Sequence, residues 1–270
     1  MDNGSNGNAL AKRDDSPAGR LHMFLKPRLQ SLGQYVAGRV KPDVLIKLAL
    51  LEFSKSKDLQ SCDPGSIYAA LITSAQLGLE PGAAKGEAYL VSYRGQCTLI
   101  PGYRGLIKLA LRSKAVKSLY AHVVYQHDEF AIELGSEQRV VHRPALDVDR
   151  GPIIGAYAVA KFENDEIDVE WMGVAELERI RNASPGRNSG AYRDWLAEMY
   201  RKAPLRRLSK RLPLGDDFFQ AAAVDEAHEA GKDIPRVELV ENMSEAEVVE
   251  DASGAPNSLR DKVRQKAEGQ

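Results

Sequence analysis

Cysteine is almost missing from this chain: Cys62 and Cys97, 35 positions apart, are the only two in 270 residues. That spacing fits no metal-binding pattern, and two thiols are too few for a disulfide framework. A reduced, cytoplasmic setting is expected, with both thiols acting as small buried apolar groups. Long apolar runs are missing too. None reaches the ~18 residues of a membrane span, and Met1 to Arg20 lacks the apolar core of a signal peptide. No membrane contact is expected. There is no GxxxxGK[ST], which argues against a P-loop ATPase, and no HExxH, Cys–His cluster or carboxylate pair. No catalytic residue, metal or cofactor is therefore expected. His127-Asp128 stands without the partners that catalysis or metal binding would require. His142-Arg143-Pro144 reads either as a strand-end cap or as a contact to phosphate or another subunit.

One absence is local. From Ala88 to His127 there is no Asp or Glu, while Arg94, Arg104, Lys108, Arg112, Lys114 and Lys117 are all cationic. Arg104, Lys108 and Arg112 recur every four residues in a segment whose other face carries Leu106, Ile107, Leu109 and Ala110. That is a basic stripe on an amphipathic helix. Gly102 and Gly105 allow a close backbone approach to a ligand, and the free N–H groups of the first turn favour an anion. Tyr103, at the start of the stripe, is a candidate for stacking against an exposed base.

The densest basic stretch lies further on. Six cations, Arg201, Lys202, Arg206, Arg207, Lys210 and Arg211, fall within eleven residues. Leu205, Leu208 and Leu212 give that stretch one apolar helical face, and Pro204 suits the first turn of a basic helix. Arg206/Lys210 and Arg207/Arg211 are i,i+4 pairs, and like charges at that spacing repel. A polyanion that neutralises them is expected, foremost a phosphate backbone. Tyr192 and Trp195 precede this helix, and Trp195 reads as a core residue.

The net charge of −1 hides a segregation. Residues 216–251 carry twelve acids against Lys232 and Arg236, a net of −10, and residues 252–270 carry +2, so the first 215 residues carry +7. A basic body thus bears an acidic tail. Three parts are expected: a disordered N-terminus at 1–20, a core at 21–214, and an acidic tail or small partner-binding segment at 215–270.

The core reads as α+β, a mainly antiparallel sheet with flanking helices. Helices are expected over 21–40, interrupted at Pro27 and Gly33, then from Pro42 and from Asp63 to a stop at Gly78. Strands are expected at 87–93 and 96–100 around an Arg94-Gly95 turn, then at 116–126, 128–134, 138–143, 154–163 and 167–172. Ile167, Val169 and Trp171 alternating with Asp168, Glu170 and Met172 mark a half-buried strand. Helices follow at 175–182 and 191–202, separated by a Gly/Ser/Pro loop at 183–190, with one helical turn at 225–231.

Eight short motifs occur in order between Leu48 and Leu214: Leu77-Gly-Leu-Glu-Pro-Gly82, Gly86-Glu-Ala-Tyr-Leu90, Gly102-Tyr-Arg-Gly105, Leu109-Ala-Leu-Arg-Ser113, Asp128-Glu-Phe130, His142-Arg-Pro144, Tyr157-Ala-Val-Ala160, and Trp195 with Glu198-Met199, Lys202, Arg206-Arg207-Leu208, Lys210 and Leu212-Pro213. Together they resemble the RecT family of phage and prophage single-strand annealing proteins. The resemblance implies ATP-independent annealing of complementary single-stranded DNA by an oligomeric ring or filament. It also implies a 5′→3′ exonuclease partner, with a host single-strand binding protein as a further one. Arg104, Arg112, Lys202, Arg206, Arg207 and Lys210 would then line a DNA groove. A metal-dependent nuclease and a coating protein that does not anneal are the alternative readings.

Overall fold

The structure is a computed structural model that describes residues 15–36, 40–184, 186–188 and 190–232. It opens with helices. Ser16 caps α1 (Pro17–Leu25) by accepting from the Gly19 N–H, so 17–20, expected to be disordered, are helical; 1–14 lie outside the described residues. A 3₁₀ turn at Lys26–Arg28 takes up Pro27 and leads into α2 (Leu29–Tyr35). Next come α3 (Pro42–Lys55), the short α4 (Lys57–Gln60) and α5 (Pro64–Leu77). The α5 helix begins as its sequence demands, with Asp63 capping the Ser66 N–H and Pro64 in the first turn. It ends at Gly78, whose φ of 65° is the left-handed conformation that glycine adopts without Cβ strain. Leu25, Leu32, Leu45, Ile67 and Leu71 form the helical core.

Among the described residues all three sheets are antiparallel, but they are small and separate, in place of the one main sheet expected. The first is a hairpin of β1 (Ala88–Tyr93) and β2 (Gln96–Pro101), joined by Arg94 and Gly95 with φ of 50° and 77°. Two consecutive left-handed residues make the tight turn whose twist matches the strands. The basic stripe forms α6 (Tyr103–Arg112). Next, β3 (Ser118–Tyr125), β6 (Ile153–Lys161) and β7 (Ile167–Gly173) form a three-stranded sheet with β6 in the centre. β4 (Glu129–Glu133) pairs with β5 (Arg139–Arg143).

That three-stranded sheet is covered on both faces. On one face Ala156 and Met172 pack with Leu177, Tyr192, Tyr200 and Ala203, supplied by α7 (Val174–Ala183), α8 (Gly190–Asp194) and α9 (Leu196–Ser209). On the other face Val124, Tyr157, Val159 and Val169 meet Phe130, Ile132 and Val140 of the β4–β5 hairpin. Phe130 and Trp171 stack with ring centroids 4.8 Å apart. β7 thus has one buried residue toward each layer, Met172 and Val169, while its other residues are half-buried as expected.

The region after Lys202 departs most from expectation. There is no helix break there: α9 runs from 196 to 209 with Pro204 buried inside it. The break comes earlier, between α8 and α9 at Trp195, which is 66% exposed where a core residue was expected. The core does not end at Leu214. α10 (Asp216–Glu229) packs against β2 and α6, with Phe218 and Ala221 fully buried and Asp225 nearly so. Residues 215–229 thus belong to the folded body, and the helix is a full 14 residues, not one turn. The rest of the acidic stretch, from 233, lies outside the described residues. No helix of the described residues is long and apolar enough to cross a membrane.

Candidate nucleic-acid interface

The cations of α9 point three ways. Lys202 and Arg206, one turn apart, face α10. There Lys202 Nζ lies 2.5 Å from Asp225, Arg206 donates to Asp225 at 2.6 Å, and Arg206 also bonds Glu229. All four residues are buried. Burial by itself would raise the Asp225 pKa, but the two cations more than offset it and hold the carboxyl below its ordinary value. Arg207 pairs with Glu170 at 3.4 Å and with Glu176. Arg211 pairs with Asp168 at 3.0 Å and Glu170 at 2.5 Å and donates to the Val169 carbonyl. Lys210, exposed, pairs with Glu226 at 3.4 Å.

The expected unneutralised rows are thus met by acids of this same chain. Asp168 and Glu170 come from β7, Glu176 from α7, and Asp225, Glu226 and Glu229 from α10. Lys202 and Arg206 were expected on an open groove and are instead sealed inside the fold.

The α6 stripe is also divided. Lys108 donates to the Gly78 carbonyl at 2.9 Å and to Glu87 at 2.7 Å. Arg112 donates to the Leu77 carbonyl at 2.7 Å and to Asp217 at 3.0 Å. Both therefore tie α6 to neighbouring segments. Arg104 is exposed and makes no ion pair among the described residues. The glycines at the start of α6 have a structural use. A Cβ on Gly102 would lie 2.3 Å from the Gly86 carbonyl oxygen, and one on Gly105 2.0 Å from that of Glu87. The close approach they allow is to the chain's own backbone, not to a ligand. Tyr103 is half-buried, and its hydroxyl accepts from the Ala121 N–H at 2.8 Å, securing α6 to β3. Burial, the larger influence, raises its pKa.

The third direction on α9 is the informative one. Ala197 and Arg201 face a cavity of ≈ 380 Å³ beside β3, the outer strand of its sheet next to β6. His122, Val123 and Tyr125 of β3, Tyr157 of β6, His142 of β5, Pro144 and Arg150 complete the lining. Arg150 lies over the Tyr125 ring, 4.1 Å from its centroid, and Arg201 lies 5.6 Å from that of Tyr103.

Behind this wall sits Asp128, with its side chain fully buried. It accepts two hydrogen bonds from Arg150, at 2.8 and 2.6 Å, and others from the Tyr125 and Ala145 N–H groups and from His142 Nε2 at 3.0 Å. Arg150 is the chief reason its pKa is held far below the carboxylate range. An ionised carboxylate only accepts, so His142 donates to it from Nε2, and Nδ1 lies 3.2 Å from the Tyr157 hydroxyl. Burial pushes the Tyr157 hydroxyl up to about 12, so it stays protonated at neutral pH. His142 is thus a strand-end link to Asp128, the cap reading of the sequence. His122 makes no hydrogen bond among the described residues, and burial followed by the nearby Arg201 and His142 keeps its pKa low.

Sequence reasoning gave no binding role to His122 and Tyr125 of β3, Tyr157 of β6 or Arg150, which come from three separate segments. The two thiols match expectation. Both are buried and unpaired, and burial raises Cys97 to about 12. Among the described residues no group of three or more His, Cys, Asp or Glu side chains is placed to hold a metal ion.

Comparison with known proteins agrees with the resemblance. The chain is 37% identical over 190 residues to "Protein RecT" of Escherichia coli (strain K12), covering 67% of this chain and 70% of that protein. It is 24% identical over 177 residues to "Uncharacterized protein YqaK" of Bacillus subtilis (strain 168), covering 64% of this chain and 60% of that protein. Residues 43–239, which run from α3 through α10, match the RecT family as a unit, and the chain belongs to that family.

Proposed function

We propose that this protein binds single-stranded DNA and anneals complementary strands without nucleotide hydrolysis, as a step in homologous recombination. The observation that carries the proposal is the ring-lined, arginine-flanked cavity at the outer strand β3. Rings and guanidinium groups side by side suit unpaired nucleotides, whose bases stack while their phosphates attract cations. Contacts to the backbone leave Watson–Crick edges to supply specificity. Family membership supports the same reading. Arg104 and the exposed Lys210 are the cations assigned to DNA phosphates, and Arg201 lines the cavity. Lys202 and Arg206 serve by holding α9 to α10. Lys108 and Arg112 fix α6, and Arg207 and Arg211 fix α9 to β7. We assign the working form to a homo-oligomeric ring or filament that acts beside a 5′→3′ exonuclease and a host single-strand binding protein.

The test is annealing of complementary labelled oligonucleotides by the purified protein, without ATP and in excess EDTA. Product of full length supports the proposal. Strict ATP dependence or shortened strands would overturn it, and binding without annealing would leave a coating protein.

A further inference from the structure

The cavity beside β3 has two properties that decide what fits it. First, its walls are rings. His122, His142 and Tyr157 stand with centroids 5.6 to 6.4 Å apart, and Tyr125 closes the lining under Arg150. Its volume of ≈ 380 Å³ lies at the small end of the range for small-molecule sites. Second, its arginines are already engaged. Arg150 is held by Asp128 through two hydrogen bonds, and Arg201 is paired with Glu198. The lining is therefore close to neutral, which disfavours a phosphate inside and suits a flat, uncharged heterocycle.

Two polar groups remain for such a guest. The Arg201 Nε is buried with no hydrogen-bond partner, a state that buried donors rarely keep. The His122 imidazole makes no hydrogen bond among the described residues and, when neutral, offers one donor and one acceptor. His142 and Tyr157 face each other already bonded and act as rigid walls.

We infer that this cavity holds one nucleobase turned out of the bound strand, stacked among His122, His142, Tyr125 and Tyr157, its edge met by His122 and Arg201. The inference rests on the proposed binding of single-stranded DNA and deepens it. Most bases would stay exposed for pairing, while one per occupied cavity would be withheld until the duplex forms.

The experiment uses full-length protein and oligonucleotides carrying 5-iododeoxyuridine at single, successive positions. Long-wavelength irradiation is followed by mass spectrometric mapping of the crosslinked peptide, and annealing is measured on the same sample. Crosslinks are expected on His122, His142, Tyr125 or Tyr157. In His122→Ala their yield should fall about five-fold or more, the smaller end of what loss of a stacking partner produces. His122 is exposed at the surface of β3, so this variant keeps the core intact. Crosslinks confined to residues outside the cavity, on protein that binds and anneals, would overturn the inference while leaving the proposed function standing. An undiminished yield in His122→Ala would overturn it as well. Failure of the wild-type protein to bind the oligonucleotide at all would bring down both.

Discussion

The two flanks of α9 put one residue type to different uses. On the α10 side, Lys202 and Arg206 are buried against Asp225 and Glu229. On the β3 side, one helical turn before Leu205, Arg201 faces a cavity and keeps a donor unspent. The difference lies in the facing surface. α10 brings carboxylates, whereas β3 brings rings. A basic run in sequence is thus a statement about charge, and only the surroundings decide whether that charge closes the fold or meets a ligand.

The comparison breaks first at Asp225. Asp225→Ala leaves Lys202 and Arg206 buried without their shared partner, and loss of one member of a buried ion pair costs about 3–5 kcal/mol. Arg206→Ala should cost a similar amount, read as a lowered urea midpoint. A loss under about 1 kcal/mol in both would mean that the α9–α10 seam is not structural.

Asp128 tests the other flank. Removing its charge leaves Arg150 and His142 poorly partnered behind the cavity, and Asp128→Asn should cost about 1–3 kcal/mol. It should also change the pH dependence. The pKa values of Asp128 and Asp225 are held below the ordinary carboxylate value. Their stabilisation is therefore complete above the unfolded-chain value of about 4 and is lost as pH falls below it. Unfolding followed from pH 6 downward should show stability dropping below about pH 4, with a shallower drop in Asp128→Asn. Identical profiles would exclude Asp128 as a source of the slope.

Arg104 sharpens the contrast, because it should affect DNA and not the fold. In Arg104→Ala the logarithmic salt slope of oligonucleotide binding should lose about 0.7, one phosphate contact on a single strand. Stability should stay within about 0.5 kcal/mol of wild type. An unchanged slope would remove Arg104 from the interface.

Among the ion pairs, the smallest effect is expected at Arg211. Its ion pairs with Asp168 and Glu170 are partly exposed, and Arg211→Ala should cost about 1 kcal/mol or less, with the deficit shrinking at high salt. A loss above about 2 kcal/mol would place Arg211 with the buried seam, not with the surface.

Much of the local structure was legible in the chain. The strands from β1 to β7 were placed within a few residues, β7 by its alternation, because side chains on a strand point alternately to opposite faces. Asp63-Pro64 and Gly78 bounded α5 through cap chemistry that acts within one turn. Arg94-Gly95 placed the first hairpin. Trp195 was misread because a large ring suggests burial, while here it sits at the junction of α8 and α9, outside both packed faces. α10 was underread because its apolar face is narrow, and its acids looked like the start of a solvated tail.

What the sequence by itself determined is of short range: the antiparallel strands, the capped helices, the hairpin turn, and the RecT family motifs in their order. The tertiary structure alone decided which charges are free. Asp225 lies 23 residues from Lys202 and Asp168 lies 43 from Arg211, and nothing in either local pattern signals the other. The cavity has the same origin, since His122, His142, Arg150, Tyr157 and Arg201 meet only once β3, β5, β6 and α9 are packed. Ion pairing and cavity formation depend on distances of a few ångströms between segments far apart in the chain, and those distances are set by packing, not by periodicity.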